Sequence, residues 1–324
     1  MSPQATFADR DGVIWMDGEL VDWRNATVHL CTHSLHYGVG VFEGVRVYRT
    51  SDGPQVFRLQ DHTKRFFNSA HILRMTIPFT VEEINQAQID VARENGLEEG
   101  YLRPLAFYGS EGMGLRAEGL SVRVGIACWE WPIYMEGDVR NTGIRMQTSS
   151  YTRHHVNISM CKAKAVGNYI NSILALSEAQ DAGCDEALLL DNEGYAAEGS
   201  GENIFLVKDG VIHTPELTSC LPGITRDTVL TLARDLGIEI RERRITRDEF
   251  YIADEAFCTG TAAEVLPIRE LDHRMIGDGN RGPLTEQLQT LYFQQIRGGR
   301  RVYAEWLTPI DKSGTPVACL PAVT

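Results

Sequence analysis

Lys164 opens the run Lys164-Ala165-Val166-Gly167-Asn168-Tyr169, just ahead of a stretch with helical periodicity. Further along come Glu198-Gly199-Ser200-Gly201-Glu202-Asn203, then Leu221-Pro222-Gly223-Ile224-Thr225-Arg226-Asp227, then Gly260-Thr261-Ala262-Ala263-Glu264. Together they supply an amine, a carboxylate, a phenol and two small-residue loops suited to an anion. Those are the groups needed to hold pyridoxal phosphate as a Schiff base and use it as an electron sink.

Each residue alone has an ordinary reading. A lone lysine is usually a solvated surface residue, and Glu198 by itself reads as a turn glutamate. The co-occurrence points to the chemistry. Lys164 is the candidate amine and Lys162 its rival. Residues two apart on a strand share a face, so alternation does not choose between them. The ring nitrogen of the cofactor must stay protonated to accept electrons, and a carboxylate beside it does that. Glu198 sits where glycines let backbone approach a flat ring, with Glu202 as the alternative. A phosphate needs backbone N–H donors at a helix start and a cation. Gly223, Ile224 and Thr225 open a helix, Thr261 adds a hydroxyl, and Arg65 is the candidate cation.

The elements that must position these groups are legible in part. Val13 to Val21 reads as a hairpin on Asp17-Gly18, and Asp52-Gly53 joins two more strands, Val45–Tyr48 and Gln55–Leu59. Residues 61–75 read as a helix with Phe66, Ala70 and Leu73 on one face and Asp61 as its cap. Thr80-x-x-Glu83 is a capping box for a second helix that ends at Asn95-Gly96. Strands follow over 101–108 and 121–131. In the second half, 168–179 reads as a helix carrying Ile170, Ile173, Leu174 and Ser177 on one side, 186–190 as a buried strand, and 203–214 as a hairpin through Asp209-Gly210. Further helices are expected over 225–236, closed by Gly237, and over 284–296. Thr246-x-x-Glu249 is another capping box. The fold class is mixed, α+β with α/β. The expected division is an N-terminal α+β domain over 1–131, a linker over 132–142, and a C-terminal domain over 143–324.

Bulk composition narrows the class. The 324 residues suffice for a large core, and 43% hydrophobic with 23% charged residues is ordinary for a soluble globular chain. A net charge of -13 disfavours nucleic acid or an anionic membrane as partner. The seven cysteines form no CxxC pair, which suggests free thiols in a reducing cytoplasm. The polar N-terminus does not read as a signal peptide, and no apolar run is long enough to span a bilayer. His154-His155 has no further ligand at metal spacing and reads as structural.

The order of these motifs is similar to that of the branched-chain amino acid aminotransferases, within the class IV (fold type IV) pyridoxal phosphate enzymes. The likeness runs from Trp15 to about Trp306. It rests on His36-Tyr37-Gly38, Val41-Phe42-Glu43-Gly44-Val45-Arg46, Tyr101-Leu102-Arg103-Pro104, Gly112-Met113-Gly114 and the four runs above. The resemblance implies that Lys164, not Lys162, bonds the cofactor. It implies that Tyr169 meets the ring oxygen, Glu198 the pyridine nitrogen, and Ile224, Thr225, Thr261 and Arg65 the phosphate. It places the cofactor at the interface of a smaller N-terminal and a larger C-terminal domain. Tyr101 and Arg103, helped by the amides of Thr261 and Ala262, would take substrate carboxylates. Phe42, Trp131 and Tyr134 would wall the side-chain pocket, with spacing alone unable to prefer Trp131 over Trp129. Tyr37, Met113 and Leu115 would reach in from a neighbouring subunit, so the resemblance implies at least a homodimer, and similar bacterial enzymes form hexamers. The implied reaction moves an amino group from leucine, isoleucine or valine to 2-oxoglutarate. The runners-up are a D-amino acid or amine aminotransferase, an aminodeoxychorismate lyase, or a binding protein on the same scaffold without the cofactor.

Overall fold

The computed structural model describes residues 6–131, 138–299 and 302–310. Two sheets carry it. The first is antiparallel and eight-stranded, in the order Leu307–Pro309, Gly53–Phe57, Val45–Thr50, Gly100–Tyr108, Val122–Glu130, Val13–Met16, Glu19–Asp22, with Gly40–Phe42 paired to Gly100–Tyr108. Turn chemistry sets much of this register. Asp17 and Gly18 both take positive φ, 52° and 104°, as a two-residue hairpin turn requires, and Val13 faces Asp22 across it. The strand Leu307–Pro309 comes from the far end of the chain and covers the Gly53–Phe57 edge.

Helices Leu59–Ile72 and Val81–Glu94 pack on the first sheet. Phe66 and Ala70 from the first, with Ile84, Ala87 and Val91 from the second, join Val45, Val47 and Leu102 in one core. Each large side chain so buried contributes roughly 1.5–3 kcal/mol. The Thr80–Glu83 capping box is present, with Thr80 Oγ1 accepting from Glu83 N–H at 3.1 Å. Asp61 does not cap the earlier helix. That helix starts at Leu59 after Arg58, which takes a left-handed φ of 54°. Asp61 lies inside the first turn and pairs with Arg58 instead. A carboxylate near a helix start suits the cap and the first turn alike, so sequence did not separate them.

The second sheet is mixed and nine-stranded: Ala196–Gly199, Glu186–Leu190, Ile144–Thr148, Glu264–Leu271, Glu255–Gly260, Asn203–Lys208, Val211–Thr214, Ile240–Glu242, with Arg274–Met275 on Glu264–Leu271. Helices Ile224–Asp235 and Pro283–Ile296 cover it through Val229, Leu232, Leu288 and Tyr292. The same cluster includes Tyr48 and Phe57 of the first sheet, so apolar packing runs between the sheets. Helix Tyr169–Asp181 carries Ile170, Ile173, Leu174 and Ser177 on one side, as expected, and that side is the exposed one. Its buried residues are Ser172, Ala175 and Ala179, while Ile170 and Ile173 are 65% and 62% exposed. The bulky apolar side chains of this helix face outward. Of the expected linker, residues 132–137 lie outside the described residues, and Val139–Thr142 forms one helical turn.

Candidate active site

A cavity of about 270 Å³ is lined by residues of both sheets and of the segments between them. Lys164 is fixed through its backbone. Its carbonyl accepts from Phe42 N–H at 3.1 Å, and its N–H donates to Ser69 Oγ at 3.0 Å. Val41 and Ala165 form an isolated bridge beside it. The side chain reaches the cavity, where Nζ donates to Tyr169 Oη at 2.7 Å. Tyr169 begins its helix, and its phenol lines the same cavity as the amine. The Phe42 ring packs edge-on against Tyr169, 4.8 Å between centroids.

Glu198 sits on the edge strand Ala196–Gly199 and is buried. Oε2 accepts from Leu221 N–H at 3.1 Å. Oε1 lies 2.7 Å from Arg153 Nε, close enough to pair as ions but without hydrogen-bond alignment, so both atoms remain unmatched. Burial pushes the Glu198 carboxyl above its ordinary value, against the pull of Arg153 and the Leu221 amide. A carboxyl with a buried, unmatched oxygen on a cavity wall suits a ring N–H.

The phosphate candidates all line this cavity. Helix Ile224–Asp235 begins at Gly223 with no side-chain cap, which leaves its first amides for another acceptor. A Cβ at Gly223 would meet Asn203 Oδ1 at 2.0 Å and displace the amide that holds the Leu221 carbonyl. Thr225 is buried in the cavity wall, and Gly260, Thr261 and Ala262 line the same cavity. That loop turns back into the sheet at Glu264, a buried residue with φ of 62°. The Glu264 carboxylate accepts from Tyr48 Oη at 3.1 Å and pairs with Arg140 at 2.6 Å.

Arg65 lines the same cavity. Its Nε and Nη2 fork Glu43 at 2.7 and 2.9 Å, and Nη1 donates to the Pro222 carbonyl at 3.0 Å. His62 Nδ1 lies 2.8 Å from the same carboxylate. Burial alone would push the Glu43 carboxyl up, but Arg65 and His62 hold it well below the usual carboxylate range. Glu43→Gln keeps the shape and removes the charge that holds Arg65. It is expected to cost about 3–5 kcal/mol of stability, the range for a broken buried ion pair, read from the urea midpoint. A loss under about 1 kcal/mol would show that Arg65 does not depend on this carboxylate.

The remaining wall is aromatic around one cation. Arg103 lies 4.8 Å over Phe42 and 5.2 Å over Tyr101, with its buried Nε unmatched. Trp131 lines the cavity and packs edge-on against Tyr101 at 4.8 Å. Trp129 does not line it and packs on Phe7. Gly44 makes room for Tyr101, since a Cβ there would fall 1.6 Å from the phenol oxygen. Thr261 and Ala262 also line the cavity. Tyr134 lies outside the described residues. Tyr37, Met113 and Leu115 do not line the cavity of their own chain. They are exposed, and Tyr37 Oη accepts from Gly114 N–H at 3.0 Å. Sequence reasoning missed Arg153 and Thr259, whose buried Oγ1 lacks a partner. Neither sits in a recognisable spacing, and only the folded chain brings them to the wall. His154 Nε2 is also buried without a partner, and burial lowers the imidazole to about 4. It plays no part in the cavity wall.

Residues 40–271 match the family described as amino-transferase class IV. The branched-chain-amino-acid aminotransferase of Pseudomonas aeruginosa is 63% identical over 303 residues, covering 94% of this chain and 99% of the relative. The Escherichia coli K12 enzyme of the same description is 44% identical, over 92% of this chain and 97% of the relative. The solved T.th. branched-chain amino acid aminotransferase with pyridoxamine 5′-phosphate superposes with a TM-score of 0.91 at 48% identity, covering 93% and 99% of the two chains. The same protein has been solved with N-(5′-phosphopyridoxyl)-L-glutamate and with 4-methylvaleric acid. With that agreement over nearly its whole length, this chain belongs to the class IV aminotransferases, in the group formed by the branched-chain amino acid aminotransferases.

Proposed function

We propose that the chain transfers the amino group of leucine, isoleucine or valine to 2-oxoglutarate with pyridoxal 5′-phosphate as cofactor. It does so in two half-reactions: amino acid in and branched 2-oxo acid out, then 2-oxoglutarate in and L-glutamate out. The observation that carries this reading is one guanidinium, Arg103, with an unmatched buried nitrogen among Phe42, Tyr101 and Trp131, in the same cavity as the Lys164 amine. A bare cationic pocket would reject a branched alkyl group and a purely apolar one would reject a carboxylate. A cation within aromatic walls accepts both. The similar T.th. protein has been solved with a branched aliphatic acid and with a glutamate conjugate, which supports both halves.

When bound, the cofactor supplies an electron sink for the charge left at the substrate's alpha carbon. The chain's own residues do the rest. Lys164 Nζ holds the cofactor covalently and, once released, moves a proton at the alpha carbon. Tyr169 fixes the position of that nitrogen. Glu198 holds positive charge at the ring nitrogen, and Gly223 to Thr225, Thr261 and Arg65 hold the phosphate. Tyr101, Arg103 and the amides of Thr261 and Ala262 orient the substrate carboxylates, and Phe42, Trp131 and Tyr134 wall the side chain. Tyr37, Met113 and Leu115 complete the pocket of a second copy in a homodimer. The exposed Leu35, Ile170 and Ile173 offer the apolar surface for such pairing. The working compartment is the cytoplasm.

The purified protein with pyridoxal phosphate is expected to convert L-leucine and 2-oxoglutarate to L-glutamate at least about 100-fold faster than it converts D-alanine. Faster turnover of D-alanine would move the chain to its D-amino acid relatives.

A further inference from the structure

The second lysine of the Lys162-Ala163-Lys164 run is used quite differently from the first. Lys162 Nζ donates to three backbone carbonyls, those of Leu217, Thr218 at 3.3 Å and Cys220 at 2.9 Å. Those three carbonyls commit the side-chain nitrogen to the loop, and Lys162 does not line the cavity. Lys164 meets a phenol instead. The acceptors lie in the segment between strand Val211–Thr214 and helix Ile224–Asp235, which has no regular structure to satisfy its carbonyls.

That segment carries cofactor-facing contacts in immediate succession. Leu221 N–H donates to Glu198 Oε2 at 3.1 Å, the Leu221 carbonyl accepts from Asn203 Nδ2 at 3.0 Å, and the Pro222 carbonyl accepts from Arg65 Nη1 at 3.0 Å. Gly223 then opens the uncapped helix start. Cys220 and Leu221 are adjacent, so the ammonium ties the loop one residue before it meets the carboxylate. We propose that Lys162 is a positioning residue that clamps the 217–220 loop and so sets both the ring-facing carboxylate and the phosphate cradle, controlling how tightly the chain retains pyridoxal phosphate. The inference rests on the cofactor reading above.

The test is equilibrium binding of pyridoxal phosphate to the cofactor-stripped full chain, comparing wild type, Lys162→Met and a control, Lys208→Met, which removes an exposed pair with Asp254. Lys162→Met is expected to weaken binding about tenfold or more, the loss of charge-assisted bonds to a loop that must be ordered, with Lys208→Met unchanged. Amide hydrogen exchange of the stripped protein should speed up over residues 215–223 and not across the second sheet. Turnover at saturating cofactor is read beside binding, and the loss in cofactor affinity should exceed the loss in turnover. Weakening of less than about fivefold, or exchange that rises throughout the second sheet, overturns the clamp. If the methionine variant does not fold, Lys162→Gln is read by the same criteria. Wild-type protein that takes up no pyridoxal phosphate would sink the cofactor reading. Equal uptake by wild type and Lys162→Met sinks the clamp alone.

Discussion

Lys164→Ala is expected to abolish transamination, with kcat falling by about four orders of magnitude or more, because one side chain both anchors the cofactor and moves the proton. The purified variant should also lack the absorbance of covalently held cofactor, and borohydride should fix none to it. The geometry makes this loss hard to compensate. The Lys164 backbone is pinned by Phe42 and Ser69, and its amine sits 2.7 Å from Tyr169. Among the described residues, the other lysine of that run is committed to loop carbonyls. If Lys164→Ala kept a tenth of wild-type turnover, the assignment would be wrong.

Glu198→Ala is expected to be the next most damaging change. Losing one preorganised electrostatic partner typically lowers kcat about 10²–10³-fold, and here it also strands Arg153 in a buried wall. Glu198→Gln should recover part of the stability, since it keeps an acceptor for the Leu221 amide, but little of the rate. The discriminating measurement sets rate against thermal stability in the two variants. A glutamine variant at wild-type rate would mean that the charge at this position is not used.

The chemistry-bearing runs were readable from sequence because each depends on local backbone. Helix starts, tight turns and glycine loops have short-range signatures, and Thr80-x-x-Glu83, Asp17-Gly18 and Asp209-Gly210 all behave as their chemistry dictates. Asp61 misled because an acidic residue near a helix start serves several positions. The stripe on Tyr169–Asp181 does share one side, but sequence left open which way that side faces. Periodicity says which residues share a face and not which face is covered, and small residues took the inner side. Arg153, Thr259 and the pairing of Glu43 with His62 and Arg65 were out of reach, since residues 19 or more apart in sequence meet there only after the sheets have formed. The choice between Trp129 and Trp131 likewise needed the strand's final twist and end point, because both rings touch Tyr101.

The strand Leu307–Pro309 returns to the sheet that the chain left after Glu130. The region around the second sheet is therefore threaded into the first as an insertion, with an entrance and an exit. A single protease nick in the 131–143 passage frees neither half, because the polypeptide still crosses back near its end. Any attempt to express the N-terminal portion alone leaves the Gly53–Phe57 border bare, with its hydrogen-bonding groups open to aggregation.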